Sequence, residues 1–119
     1  MKAFLYVGLG GAGGSMLRFA VQRFVNSERF PGGTLAVNLL GCLLIGMLWG
    51  LASREWLNSN GRLLLMTGFC GGFTTLSAFS YESNQLLLSG RTGAFLLYAA
   101  ATFVGGLLAT FAGYKLIYG

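Results

Sequence analysis

The stretch that decides the fold is Gly68-Phe69-Cys70-Gly71-Gly72-Phe73-Thr74-Thr75-Leu76-Ser77-Ala78-Phe79-Ser80-Tyr81-Glu82. Within this apolar run, adjacent glycines each weaken a helix by roughly 1 kcal/mol relative to alanine, and hydroxyl side chains can bond the backbone groups that a broken helix leaves free. We therefore predict a helix broken near mid-membrane, at residues 71–75. Such breaks direct carbonyl and amide groups at ions, so this one is the candidate functional site. The alternative is that the Gly68-x-x-x-Gly72 spacing only allows another helix to pack closely.

The whole chain has the composition of a membrane protein. Of its 119 residues, 55% are hydrophobic and 9% are charged. The charges separate four apolar segments, each of the ~20 residues that cross a hydrocarbon core. We predict an all-α membrane protein with one domain, residues 1–119, and four transmembrane helices. These helices cover about 3–23, 33–53, 62–89 (with the break near 71–75) and 92–115.

Three observations exclude other classes of protein. A net charge of +5 would favour nucleic acid in a soluble protein, but these basic residues flank the spans and face lipid headgroups, so no nucleic-acid partner is predicted. The chain has no histidine, and its two cysteines lie inside apolar segments, which argues against a metal framework. The run from Gly8 to Gly13 formally matches a dinucleotide-binding motif, but the alternating strands and helices of that fold are missing. Gly10-x-x-x-Gly14 instead predicts a close helix contact.

The basic residues give almost no orientation bias. With four crossings, both termini and the middle loop lie on one side of the membrane, and the other two loops lie on the opposite side. The first side holds Lys2, Arg54, Arg62 and Lys115, and the second holds Arg23, Arg29 and Arg91. Because the Lys/Arg asymmetry of short loops sets topology, this near balance predicts insertion in both orientations and antiparallel pairs.

Two polar side chains lie within the first two apolar segments. Arg18 either extends to the headgroups or turns inward and makes an aqueous vestibule positive, which would attract an anion. Asn38 needs a partner in an uncharged span, so it either forms an interhelical hydrogen bond or directs donors at an anion. Gly33-Thr34 opens the second helix with a hydroxyl able to cap it.

The third and fourth helices each carry a mixed face. After the break, Leu76, Phe79 and Glu82 share a face with Thr75. Aromatic edges carry positive partial charge, so Phe79 either packs in the core or presents its edge to a small anion. The fourth helix has a polar track at intervals of four residues, which either solvates an ion or bonds the helix's own carbonyls. Its positions are Tyr98, Thr102, Gly106 and Thr110.

Together these features resemble the CrcB/Fluc family of fluoride channels. The resemblance covers the whole chain, and its motifs are the glycine-rich first helix ending in Arg18, the Gly33-Thr34-x-x-x-Asn38-x-x-Gly41 run and the stretch from Gly68 to Glu82. It implies a fluoride-selective channel, and not an enzyme, that exports cytoplasmic fluoride down its electrochemical gradient through the plasma (inner) membrane of a bacterium. It also implies an antiparallel, dual-topology homodimer in membrane lipid, with a structural sodium ion at the dimer centre.

The resemblance further implies a role for each site residue. The backbone carbonyls of Gly71 and Thr74 from both subunits would hold the sodium ion. The residues expected along the fluoride pathway are Asn38, Phe79, Leu76, Thr75, Ser77, Tyr98, Thr102 and Thr110. Those expected at the vestibule are Arg18 and Glu82. At one position the chain departs from the family, which usually has Phe where this sequence has Leu76.

Two other functions remain open. A small multidrug-type proton-coupled exporter has a similar size, four helices and dual topology, but it needs a carboxylate deep in the first helix, where this chain has Arg18 and no acid. A non-conducting membrane assembly protein would need the packing glycines but neither a broken helix nor Asn38. Fluoride efflux from proteoliposomes distinguishes the three.

Overall fold

The computed structural model describes all 119 residues, as helices joined by short connections. Four helices are long and apolar enough to cross a membrane. They are the first span, Lys2–Val25, the second, Gly32–Ser53, the third, Ser59–Leu88, and the fourth, Thr92–Tyr118. The predicted all-helical architecture with four such spans is confirmed, and the bounds differ from the predicted ones by no more than three residues.

The spans pack as two main pairs. The first span packs against the first half of the third, and the second packs against the fourth. Glycine is required where these helices touch, because a side chain would collide with the neighbouring backbone. A Cβ at Gly10 would overlap the Leu64 carbonyl oxygen, and one at Gly46 would overlap the Thr110 carbonyl oxygen. The close contact predicted for the first helix is thus observed.

The third span changes its backbone conformation along its length. Arg62–Cys70 winds as a π-helix, Gly71–Phe73 is α-helical, and Leu76–Leu88 forms the last α-helix. Between them, Thr74 (φ −88°, ψ 156°) and Thr75 (φ −151°, ψ 121°) have extended backbone. We call these two residues the extended pair. They lie within the range in which the sequence predicts a break, and the position of that break at mid-membrane depth stays a prediction.

Much of the apolar surface is exposed. The bundle measures 48 × 33 × 20 Å, so it is about two helices thick in its shortest dimension. Only 20 of 119 residues are buried, whereas long apolar side chains such as Leu9, Leu76 and Leu107 are 69%, 72% and 77% exposed. A surface of this kind is stable only against lipid or another apolar surface.

Candidate functional site

Asn38 of the second span bonds both polar backbone groups of Thr75. Its Nδ2 donates to the Thr75 carbonyl oxygen at 3.2 Å, and its Oδ1 accepts from the Thr75 amide at 2.8 Å. In a continuous helix that amide would bond the Gly71 carbonyl, four residues earlier. The interhelical bond that the sequence allows is therefore present, and it replaces one of the helix's own bonds. Nδ2 carries a second hydrogen that remains available.

The hydroxyls around the extended pair stabilise the adjoining helix ends. Thr74 Oγ1 donates to the Cys70 carbonyl oxygen at 2.9 Å. Thr75 Oγ1 accepts from the Ala78 amide at 3.1 Å, which caps the last helix of the third span. Ser77 Oγ lies 3.1 Å from Thr75 Oγ1. The hydroxyls of Thr74 and Thr75 thus bond nearby backbone groups, as expected. The Ser77 hydroxyl lies within hydrogen-bonding distance of the Thr75 hydroxyl.

The carbonyl groups beside the extended pair have different surroundings. The Gly72 carbonyl oxygen accepts from Arg18 Nε at 3.0 Å. The Thr74 carbonyl oxygen accepts no hydrogen bond, and the amide that would bond the Gly71 carbonyl is taken by Asn38. Gly71 is exposed and borders open space, since a Cβ there would meet nothing within 4 Å. The carbonyl oxygens of Gly71 and Thr74 are therefore available to other partners.

A cavity of about 470 Å³ opens beside the extended pair and brings together most of the predicted site. Its lining contains amide, hydroxyl, thiol, apolar and aromatic groups but no charged side chain, and we call it the neutral cavity. The predicted site residues that line it are Asn38, Gly71, Thr74, Thr75, Leu76, Phe79, Thr102 and Thr110. The lining includes neither Ser77 nor Tyr98 nor the two vestibule residues.

Two aromatic rings contribute to the wall of the neutral cavity. Phe79 is 8% exposed and packs against Phe103 of the fourth span, with ring centroids 5.4 Å apart and the planes at 81°. This edge-to-face geometry places the edge of one ring against the face of the other. The sequence did not single out Phe103, because it lies on another span among many apolar residues.

The hydroxyl groups of the polar track on the fourth span bond protein acceptors. Thr102 Oγ1 donates to the Tyr98 carbonyl oxygen of its own helix at 2.7 Å, as in the second of the two expected arrangements. Thr110 Oγ1 donates to the Cys42 carbonyl oxygen of the second span at 3.1 Å. These hydroxyls could solvate an anion only if their hydrogens turned away from these acceptors.

Glu82 is the centre of a second polar cluster, towards one end of the bundle. Its Oε2 accepts from Asn26 Nδ2 at 2.8 Å and from Thr34 Oγ1 at 2.9 Å, and its Oε1 accepts from the Tyr98 hydroxyl at 3.1 Å. Thr34 and Tyr98 are fully buried, and all three donors are neutral. We call these four residues the Glu82 cluster. Glu82 and Asn26 also line a second cavity of about 740 Å³.

Two members of the Glu82 cluster were not predicted as site residues. The sequence assigns the Thr34 hydroxyl to a helix cap, but Asn26 Oδ1 accepts from the Thr34 amide at 3.0 Å and leaves that hydroxyl free to donate to Glu82. Asn26 is 56 residues from Glu82 along the chain. In the sequence around Asn26, the only feature was an amide side chain beside a loop, and such a residue commonly caps a helix.

Arg18 turns inward. Its Nε bonds the Gly72 carbonyl, and its Nη1 lies 3.5 Å from Gln22 Oε1. Gln22 Nε2 in turn donates to Thr34 Oγ1 at 3.0 Å. Of the two directions that the sequence allows for Arg18, the structure has the inward one, and a chain of hydrogen bonds links it to the Glu82 cluster.

The chain matches a known protein family over most of its length. The family described as CrcB-like protein, Camphor Resistance (CrcB), matches residues 5–114. The chain belongs to this CrcB-like family. The family resemblance inferred from the motifs is therefore confirmed.

Bacterial relatives of this CrcB-like chain carry the name fluoride-specific ion channel FluC. The one from Phocaeicola vulgatus is 46% identical over 116 residues, which cover 95% of this chain and 96% of the relative. The relative from Thermus thermophilus is 44% identical over 119 residues, which cover 98% of this chain and 94% of the relative. That from Pseudomonas fluorescens Pf0-1 is 48% identical over 114 residues, covering 92% of each. With these relatives and four potential spans, the chain is a multi-pass bacterial membrane protein.

Proposed function

We propose that this chain forms a fluoride-selective channel through which cytoplasmic fluoride leaves the cell down its electrochemical gradient. The observation that carries the proposal is the similarity, over nearly the whole chain, to proteins named fluoride-specific ion channel FluC. The neutral cavity supports it, because amide and hydroxyl groups can replace water around a small anion. The cavity lining also has no carboxylate that would repel an anion.

In the proposed pathway, fluoride passes through the neutral cavity. The unused N–H of Asn38 and the ring edges of Phe79 and Phe103 would supply positive partial charge. Leu76 keeps the wall apolar but supplies no ring edge. Thr75 and Ser77 support this part of the wall. Thr102 and Thr110 add hydroxyls within this cavity, and the pathway continues past the hydroxyl of Tyr98, with Arg18 and Glu82 at the vestibule.

The channel is proposed to be an antiparallel homodimer, because one chain leaves the neutral cavity open. Leu76, Phe103 and Leu107 line that cavity and are 72%, 57% and 77% exposed. A second copy would cover this apolar surface, and the near balance of basic residues lets both orientations insert. A terminal tag should be accessible from both sides of the membrane in one cell population. Accessibility from one side only would contradict the dimer, unless an oppositely inserted partner chain is found.

A structural sodium ion at the dimer centre would be held by the carbonyls of Gly71 and Thr74. These groups suit it, since the Thr74 carbonyl accepts no hydrogen bond and Gly71 borders open space. Carbonyl oxygens are hard ligands that suit a hard cation, and its charge would offset the cost of bringing an anion into apolar surroundings. Thermal unfolding of the purified protein should occur at a higher temperature in sodium chloride than in potassium chloride. Equal unfolding temperatures would contradict the site.

Ion flux from proteoliposomes tests the function itself. The purified protein should release fluoride down its gradient and retain chloride under the same driving force. Equal chloride flux would contradict a fluoride-selective channel. Proton-coupled exchange of organic cations would favour the multidrug-type exporter, although the first span contains no carboxylate for that reaction. The absence of any flux would favour the assembly protein.

A further inference from the structure

The side chain of Arg18 donates a hydrogen bond to a backbone carbonyl that has lost its helical partner at the extended pair. In a continuous helix, the Gly72 carbonyl oxygen would accept from the amide of Leu76, four residues later. The extended dihedrals between these residues separate the two groups. The oxygen instead accepts from Arg18 Nε at 3.0 Å, with Ser15 Oγ at 3.5 Å from it.

The two glycines beside the extended pair have opposite surroundings. Gly72 lies against the first span, since a Cβ on it would be 2.5 Å from the Gly11 carbonyl oxygen and 3.0 Å from Ser15 Oγ. Gly71 borders open space and lines the neutral cavity together with Thr74. The carbonyl on the closed side thus has a donor within the subunit, whereas that of Thr74 on the open side has none.

We infer that Arg18 is a positioning residue for the extended pair. Its guanidinium holds the Gly72 peptide against the first span and thereby sets the orientation of the neighbouring Gly71 and Thr74 carbonyls at the open face. This inference rests on the proposed function, in which those carbonyls would hold the structural sodium ion. It assigns Arg18 a task that a positive charge alone at a vestibule would not perform.

The chemistry of arginine suits this task better than that of lysine. The planar guanidinium presents Nε to the Gly72 carbonyl and Nη1 to Gln22 Oε1 at the same time. A lysine ammonium keeps the charge, but it is a point donor on a flexible stem and does not hold two acceptors in fixed directions. Arg18→Lys therefore separates positioning from charge.

Fluoride efflux at matched protein content is the first measurement. Arg18→Lys and Arg18→Gln should both lose about tenfold or more, as expected when a hydrogen bond to a charged group is lost. Arg23→Lys and Arg23→Gln are the matched controls, because Arg23 is exposed in the last turn of the same span. They should stay within about twofold of the parent, as is usual for exposed charges. Parental flux in Arg18→Lys would overturn the inference.

Salt dependence separates the two roles of Arg18. An attraction by charge is screened by salt, so the deficit of Arg18→Gln would shrink as an impermeant salt is raised from about 0.02 M to about 0.5 M. A positioning role predicts a deficit that does not change with salt. A deficit that disappears at high salt would therefore overturn the inference.

Amide hydrogen exchange provides a measurement that does not depend on conduction. Residues 70–80 should exchange faster in both Arg18 variants than in the parent, and at the parental rate in the Arg23 variants. Arg18→Lys keeps the partly buried charge, so it serves if Arg18→Gln does not fold. Unchanged exchange in Arg18→Lys would overturn the inference. A parent protein that conducts no fluoride would contradict the proposed function instead.

Discussion

The bundle contains two polar regions, the Glu82 cluster and the surroundings of the extended pair. They differ in whether all their hydrogen-bonding groups have a partner. In the Glu82 cluster, one carboxylate accepts from three neutral donors on three other helical elements or their ends. At the extended pair, Asn38 and Arg18 satisfy some backbone groups, but the Thr74 carbonyl accepts nothing. Because an unsatisfied polar group is costly in apolar surroundings, we expect the first cluster, whose donors are all paired, to stabilise the fold, whereas the second retains groups that a ligand can use.

The largest effect is expected from Asn38→Ala, which removes both partners of the Thr75 backbone. Each unpaired group costs about 1–3 kcal/mol, and the extended pair loses its contact with the second span. Fluoride efflux should fall to background, and the unfolding temperature should drop. Asn84→Ala is the matched control, because Asn84 is exposed and donates only to Ser80 of its own helix. Parental efflux in Asn38→Ala would show that the neutral cavity does not depend on this amide.

Phe79→Ala should have the next largest effect, because it removes a buried ring between Phe103 and Tyr98. The packing cost is about 3–5 kcal/mol, and the proposed pathway loses one of its ring edges. Initial fluoride efflux at matched protein content should fall strongly. Phe4→Ala, at a position that is 79% exposed, should leave efflux unchanged.

A smaller effect on flux is expected from Glu82→Gln, which tests whether the Glu82 cluster is mainly stabilising. An amide accepts hydrogen bonds at only one of its two ends, so some of the three donors lose their acceptor. We expect the free energy of unfolding to fall by about 1–3 kcal/mol and efflux per folded protein to fall less than in Asn38→Ala. Glu28→Gln makes the same chemical change at an exposed residue and serves as the control. Lost efflux with unchanged stability would show that Glu82 acts mainly at the vestibule of the pathway and not as a stabilising group.

The smallest effect is expected from Leu76→Phe, which introduces the residue that the family resemblance implies at this position. Leu76 is 72% exposed in the single chain and lines the neutral cavity, so the larger ring meets no clash within its own subunit. Folding should be unchanged, and efflux should be maintained or raised, because another ring edge joins those of Phe79 and Phe103. Leu9→Phe, at another exposed position, controls for added surface area. If Leu76→Phe blocks conduction while Phe79→Ala conducts like the parent, the aromatic pathway on this face is wrong.

The sequence alone determined the four spans and the family. Apolar segments of about 20 residues, separated by charges, specify membrane helices because the hydrocarbon core sets their length. Paired glycines and hydroxyls mark the place where the third span becomes extended, since both are poor helix formers with local alternatives for hydrogen bonding. Within each of the three motifs that carry the family resemblance, the residues are close together in sequence, and such signals need no knowledge of tertiary contacts.

Only the tertiary structure decided which partner each polar side chain has. Arg18 could have extended to the headgroups, but the packing of glycines against the third span brings the Gly72 carbonyl within its reach. Phe103 and Asn26 gained their places through contacts with residues on other spans. The physical reason is that a polar group in apolar surroundings takes the nearest complementary group, and that group is set by how the helices pack and not by the local sequence.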